Sequence, residues 1–294
     1  MTPVPDRGTV AITGASGGVG SRVIRALTRI DPSRTVVALA RDPSRAVGSK
    51  SGTVRAAYAD YDDLDSLVAA LNGSSALIFI SSDGDIETMT RHHRNVLSAL
   101  LVSEVEHVVY TSIIDIGAHS PFYYTPVHRE TEKLLRDTGI SFCFARTSVF
   151  ADFFFTTFLT PALETGAVEL PLLKGSISLV TRDDVAEALA AASYRKVTGE
   201  LTLTGPAALD RQEIERAMQT AGAHSVSLLT VDDQRYRREA QISGMPPWLI
   251  EAFSSPFRSI EQGGFSEVSG DIERLLGHPP AIFSSFLRRA LTGG

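Results

Sequence analysis

The chain has 294 residues, 43% hydrophobic and 21% charged, with a formal net charge of −6. This composition is ordinary for a globular protein with an ample core. An acidic balance without a basic stripe argues against nucleic-acid binding, and no apolar stretch reaches the roughly 18 residues of a membrane span. The only cysteine, Cys143, lies in an apolar run, so a buried thiol in a reducing, cytoplasmic compartment is expected. Residues 1–7 are polar and proline-broken, unlike a secretory signal.

Residues 9–13 read as a buried strand, followed by a glycine-rich turn. Val19, Val23, Ile24 and Leu27 then fall at helical spacing as far as Ile30. Strands are predicted over 35–40, 53–57, 76–80, 107–111 and 141–145. Helices are predicted over 62–71, 86–102 and around 131–136, the last ending at Gly139. Asp62-Asp63 suits a helix N-terminus better than acid–base chemistry.

This alternation implies a Rossmann-type, doubly wound parallel α/β sheet, which takes ligands at the carboxyl ends of its strands. Past residue 150 the pattern changes. Short strands near 177–180 and 200–204 mix with helices opening at Asp183-Asp184 and Pro246-Pro247 and covering 209–221 and 271–276. The expected organisation is a dinucleotide-binding domain over 1–150. A smaller, mostly helical substrate lobe follows over 151–294, its strands partly rejoining the main sheet.

The turn Thr13-Gly14-Ala15-Ser16-Gly17-Gly18-Val19-Gly20 stands between a strand and a helix. Gly14 permits the tight turn, Gly17 lets the backbone approach a pyrophosphate, and Gly20 lets the helix pack against the strand. The helix N-terminus offers free N–H donors to phosphate, with Ser16, Gly18 and Val19 completing the cradle. Next, the 35–40 strand ends in Arg41-Asp42-Pro43. A carboxylate here favours NAD, whereas Arg41, with Arg45 nearby, can grip a 2′-phosphate, so NADPH is expected over NADH.

Further along stand Ala59-Asp60-Tyr61-Asp62, Ile80-Ser81-Ser82, Tyr110-Thr111-Ser112 and His128-Arg129-Glu130-Thr131-Glu132-Lys133. Arg146 to Phe154, Val180 to Ala186 and Leu275-Leu276-Gly277-His278-Pro279 follow. In this order and spacing the chain resembles the NmrA-like atypical short-chain dehydrogenases. Within them it is most similar to the type 2 NAD(P)H:quinone oxidoreductases and triphenylmethane reductases. The resemblance implies that Asp60 and Tyr61 flank the adenine and that Ser81 and Ser82 line the cofactor. It also implies that Thr111 and Ser112 lie near the nicotinamide ribose. Phe150, Phe153 and Phe154 would form the substrate pocket, although core packing is an equal alternative for some of them.

Typical short-chain dehydrogenases use Ser, Tyr and Lys. Here Ser112 and Tyr124 have suitable spacing, but His128 stands at the lysine position. A neutral imidazole cannot replace a permanent charge, and Pro126 argues against a regular helix over 124–128. Ordinary alcohol dehydrogenation is therefore disfavoured. Hydride transfer to an electron-poor quinone or related conjugated aromatic needs less acid help, with His128, Ser112 and Tyr124 as the candidate catalytic groups. Two alternatives stay open: a non-catalytic NADP(H) sensor, and a tailoring ketoreductase or isomerase of an aromatic natural product.

Lys133 reads as a solvated charge. His92-His93 lacks ligands at metal spacing, and no nucleophile elbow is present. The partner expected is a small aromatic or quinone substrate, with neither nucleic acid nor membrane. A homodimer is left open. The Arg41 assignment makes a sharp prediction. Arg41→Ala should weaken NADPH binding by roughly 1.5–3 kcal/mol and leave NADH nearly unchanged. Calorimetry with both cofactors checks this, and equal losses refute the assignment.

Overall fold

The computed structural model describes residues 8–46, 52–172, 174–223 and 226–292. The reading of residues 1–7 lies outside them. In chain order the first elements are β1 (Val10–Ile12), α1 (Gly20–Ile30), β2 (Val36–Ala40), β3 (Val54–Tyr58) and α2 (Leu64–Leu71). Then come β4 (Ala76–Phe79), α3 (Ile86–Leu101), β5 (His107–Ile113), α4 (Thr125–Asp137) and β6 (Ser141–Thr147). These elements match the predicted strands and helices to within a few residues at each end, except that α4 starts well before its predicted centre. The remainder are α5 (Ala151–Phe154), α6 (Thr160–Thr165), β7 (Ala167–Leu170), α7 (Arg182–Tyr194), β8 (Gly199–Leu203) and α8 (Arg211–Ala221). β9 (Ser227–Thr230), α9 (Asp233–Ile242), α10 (Pro247–Glu261), α11 (Asp271–Leu276) and α12 (Phe283–Leu291) complete the chain.

Seven strands form one sheet in the order β3-β2-β1-β4-β5-β6-β8. The pairs from β3 through β5 are parallel, as the apolar runs on both faces require. β8 is thus the strand that rejoins the main sheet. The stretch 177–180 does not form a strand. It makes only isolated bridges, Ile177 to Leu209 and Phe150 to Val180. The pairing partner of a short apolar run is invisible in its own sequence. For the same reason the small β7–β9 sheet went unpredicted.

The chain divides into two compact units that interleave along the sequence. Unit 1 holds residues 1–112, 126–146 and 182–201, and unit 2 holds 113–125, 147–181 and 202–294. In unit 1, β1, β2, β4, β5 and β6 supply Ala11, Val37, Leu39, Phe79, Tyr110 and Phe144 to a core closed by α2 and α3. α7 packs on α1, where Arg22 meets Asp183 and Arg29 meets Glu187, each at 2.7 Å. In unit 2, Phe154, Phe155, Phe158, Phe257 and Phe265 centre a second core.

Pro126 is the second residue of α4, so the helix does include His128. The expectation that Pro126 breaks a helix here is corrected by its position. In the first turn a missing N–H leaves no helical bond unmade. Asp63 caps α2 through Ser66 N at 3.1 Å, as its acidic pair implied.

The tightest constraint lies at the start of α1. A β-carbon on Gly20 would stand 2.3 Å from Gly14 O and 2.8 Å from Ala15 Cα, both backbone atoms. Gly20→Ala should therefore cost about 1–3 kcal/mol of stability, read as a lower thermal midpoint, and an unchanged midpoint would contradict the contact.

Candidate nucleotide-binding site

The strand order reverses direction between β1 and β4, so their carboxyl ends diverge into a crevice of the kind that holds dinucleotides. Four strand ends of unit 1 meet there. After β1, Thr13 Oγ1 accepts from Ile80 N at 2.9 Å, joining the turn to the segment after β4. After β3, Tyr61 donates its hydroxyl to Ile80 O at 2.8 Å. After β4, Ser81 N donates to Thr111 Oγ1 of β5 at 2.7 Å.

Within the turn, Gly14 takes a φ of +61°, which its lack of a side chain permits. Ser16, Gly17 and Gly18 are exposed and Val19 is buried. No side chain caps α1, and its Ser21 and Arg22 amides bond back to Gly17 O and Val19 O at 3.1 and 3.0 Å, which closes the turn onto the helix. Arg22 donates to Gly18 O at 2.7 Å and so fixes the far side of the turn.

Arg41 is exposed just past β2. The neighbouring carboxylate of Asp42 is engaged locally, accepting from Ser44 Oγ at 2.5 Å and Ser44 N at 3.0 Å. The Ser44 hydroxyl holds the Asp42 carboxyl below the usual carboxylate range. Asp42 thus uses Oδ1 to start a short 3₁₀ turn, and Arg41 beside it is exposed. Asp60 turns its carboxylate onto Asp62 N at 3.1 Å, and the Tyr61 ring stacks on His92 at 5.3 Å.

Two groups beneath this rim were not singled out from the sequence. The first is His93 on α3, which is buried. Its Nε2 accepts from Ser82 N at 3.3 Å and lies 3.1 Å from Ser81 Oγ, while Nδ1 meets Thr131 Oγ1 at 2.7 Å. An amide can only donate, so Nε2 carries no proton and Nδ1–H donates to Thr131. Burial, and then the neighbouring His128 and His92, hold the His93 pKa well below its ordinary value, consistent with a neutral ring.

The second group is Glu132 on α4. It accepts from Ser112 Oγ at 2.7 Å and from Arg146 Nε and Nη2 at 2.9 and 2.7 Å. Arg146 and Arg136 both reach Glu200 on β8, at 2.6 and 2.9 Å. Burial alone would raise the Glu132 pKa. The hydrogen bonds from Arg146 and Ser112, and the arginine charges, outweigh it and lower the value. The Ser112 hydroxyl is thereby engaged as a donor to a carboxylate. The sequence signal is Arg146 near the end of the apolar run of β6, whereas Glu132 is one of several charges in α4.

The three candidate catalytic residues fall in different surroundings. Ser112 is buried at the end of β5. His128 is buried in α4 of unit 1, its Nδ1 lying 2.7 Å from the Tyr110 hydroxyl. Burial brings the His128 pKa down to about 4 against the opposing charge of Glu132, and burial raises that of Tyr110, so the pair is uncharged at neutral pH. Tyr124 belongs to unit 2, edge-on to Phe122 and Tyr123. Of the aromatic trio in unit 2, Phe150 and Phe153 are half-buried. Phe154 is placed in the core at 2% exposure, so its assignment to substrate gives way to packing. Cys143 is buried and its thiol pushed up to about 12 by burial, an inert core residue.

Among the described residues no cluster of His, Cys, Asp or Glu could hold a metal, and no helix is long and apolar enough to cross a membrane.

An NAD(P)H-binding family model matches residues 14–195, which takes in the glycine turn, Arg41, Ser82 and Glu132. The chain belongs to this NAD(P)H-binding family. It is 28% identical to quinone oxidoreductase 2 of Escherichia coli over 272 residues, covering 92% of this chain and 94% of that one. The crystal structure of the E. coli NADPH-dependent quinone oxidoreductase complexed with NADPH superposes with a TM-score of 0.88 at 26% identity, over 96% of this chain and 99% of that one. The Citrobacter sp. triphenylmethane reductase complexed with NADP(H) gives 0.84 at 26% identity, over 96% and 99%.

The residues present fit a dinucleotide. Ser16, Gly17 and Gly18 of the turn are exposed, α1 is uncapped by side chains, Arg41 is exposed, and Ser82 Oγ is buried without a hydrogen-bond partner among the described residues.

The ion-pair cluster yields a stability prediction. Arg146→Met leaves Glu132 buried without its main partner and should cost about 3–5 kcal/mol at neutral pH. The sign with pH follows from linkage. In the wild type the Glu132 contribution is full above the ordinary carboxylate range and is lost as pH falls through its lowered value. Without Arg146 the carboxyl protonates more readily, so the deficit should shrink in mild acid. Urea unfolding at the two pH values measures both, and a deficit that grows in acid would contradict the assignment.

Proposed function

We propose that this chain is an NADPH-dependent reductase that transfers hydride to a quinone or a related conjugated aromatic acceptor. The observation that carries this reading is the buried, neutral His128, which stands at the lysine position of typical short-chain dehydrogenases and is paired with Tyr110 rather than charged. With no permanent cation at that position to activate Tyr124 as an acid, the chain suits an acceptor that is already electron-poor. The likeness over nearly the whole chain to a quinone oxidoreductase and a dye reductase supports the same class.

In this reading the bound dinucleotide supplies the hydride. The chain's own residues bind and orient it. The glycine turn at Gly14, Ser16, Gly17, Gly18 and Val19 receives the diphosphate at the N-terminus of α1. Arg41 takes the 2′-phosphate, which makes NADPH the preferred cofactor, and Asp60 and Tyr61 take the adenine side. Ser81, Ser82 and Thr111 line the remaining length. Ser112 orders the end of β5 through Glu132 rather than serving as an acid. His128, neutral at physiological pH, offers a hydrogen bond but no charge. The acceptor is a flat apolar molecule, for which Phe150, Phe153 and Tyr124 supply aromatic surface. The expected location is the cytoplasm.

The test is NADPH oxidation against a panel of quinones, with azo and triphenylmethane dyes alongside. Quinone-dependent consumption of NADPH, well above that with NADH, is expected. Tight NADPH binding with no turnover on any acceptor would overturn the reductase reading and favour a sensor.

A further inference from the structure

We propose that His93 is a positioning residue that orients Ser82 to hydrogen-bond the dinucleotide. The proposal rests on the nucleotide-binding reading above and deepens it by naming a residue outside the glycine turn on which affinity depends.

The segment after β4 leaves the sheet at the switch point with two consecutive serines. Their surroundings are unequal. Ser81 is held from three sides: its amide donates to Thr111 Oγ1, its hydroxyl reaches Ser82 O at 3.2 Å, and the same hydroxyl meets His93. Ser82 is held through its backbone alone, by the amide that donates to His93 Nε2. Its hydroxyl is buried and has no hydrogen-bond partner among the described residues. A hydroxyl left in that state is unfavourable, and such groups in a cofactor crevice are matched by the ligand. Ser82 as a whole is only half-buried, so rotation about its Cα–Cβ bond suffices to present the hydroxyl.

His93 determines where that hydroxyl stands. Its ring lies edge-on to Phe79 at 5.0 Å and to Tyr110 at 5.8 Å, which sets the ring plane. Thr131 sets the tautomer: Thr131 Oγ1 donates to Val127 O at 2.8 Å, so it is left to accept from His93 Nδ1. The acceptor lone pair on Nε2 is therefore turned to the segment after β4, where it meets the Ser82 amide at 3.3 Å and the Ser81 hydroxyl at 3.1 Å. α4 thus dictates, through one imidazole, the backbone position of the segment after β4. A side chain that only filled space here would need neither the tautomer nor the amide.

The test is NADPH affinity by calorimetry, with no turnover needed, on the full-length chain and four variants. His93→Leu keeps bulk but removes the acceptor. His93→Gln keeps an acceptor near Nε2. Ser82→Ala removes the hydroxyl, and His93→Leu/Ser82→Ala completes a double-mutant cycle. Loss of one good hydrogen bond predicts about a tenfold weakening for His93→Leu and for Ser82→Ala. The double variant should be no weaker than either single one, and His93→Gln should recover most of the affinity.

Additive losses in the double variant, or a Gln variant as weak as the Leu variant, would show a merely structural role and overturn the proposal. Should His93→Leu fail to fold, Ser82→Ala still decides, because wild-type affinity without the hydroxyl also overturns it. Absence of NADPH binding to the wild-type chain would instead overturn the nucleotide reading itself, and this proposal with it.

Discussion

The carbonyl oxygen of Gly14 stands almost where a β-carbon on Gly20 would be, and the rest of unit 1 depends on that approach. It draws the first turn of α1 down onto the end of β1. The helix axis is then aimed at the crevice, and α1 is seated so that α7 can pair with it through Arg22–Asp183 and Arg29–Glu187. Were the helix held off by even a methyl group, its N-terminal amides would no longer converge with the ends of β3, β4 and β5. The segments after β1, β3 and β4 are themselves tied through the carbonyl and amide of Ile80, which meet Tyr61 and Thr13, and the next amide, of Ser81, adds Thr111 of β5. The site is therefore a junction of strand ends around one residue of β-sheet exit, with the glycine turn as its floor.

Beneath that junction the chain buries polar groups in two distinct ways. The His93–Thr131 and Tyr110–His128 contacts are between uncharged partners, and burial keeps both imidazoles neutral. The Ser112–Glu132–Arg146 cluster is ionic, and its charges stay because each carboxylate oxygen has a guanidinium donor. A neutral network fixes directions without a field. An ionic one ties elements together, here β5, α4, β6 and β8. The two are close enough for the Glu132 charge to act on the Tyr110 phenol, where it adds to burial in raising the pKa.

The local features of unit 1 were legible in the sequence because each depends on neighbours along the chain. The glycine turn, the strand that ends in Arg41 and the Asp63 cap are of this kind. Features that depend on distant partners were not. Residues 177–180 have the composition of a strand, yet find only single bridges, while Ala167–Leu170 and Ser227–Thr230 pair across a long separation. The return of residues 182–201 to unit 1 depends on the packing of α7 against α1, a partner about 160 residues away along the chain. His93 was passed over because a histidine with no metal-spaced partner looks idle until the Ser82 amide is seen beside it. Pro126 misled for a related reason: whether a proline breaks a helix or opens one depends on a start point that only the fold fixes.

The identity of the histidine at position 128 matters more once its surroundings are known. A lysine there would carry a permanent charge, lower the pKa of a neighbouring phenol and make it a ready proton donor. His128 in its buried site does the reverse, since it is uncharged and its Nδ1 is paired with a phenol that burial has made less acidic. Both groups are buried, so the proposed reading gives neither the role of proton donor. That reading suits an acceptor that delocalises the incoming electron pair and takes its proton from water. On it, the demand falls on the electron affinity and flatness of the acceptor, not on the acidity of the site. For that reason the reading extends to conjugated aromatic acceptors as a class rather than to simple alcohols and ketones.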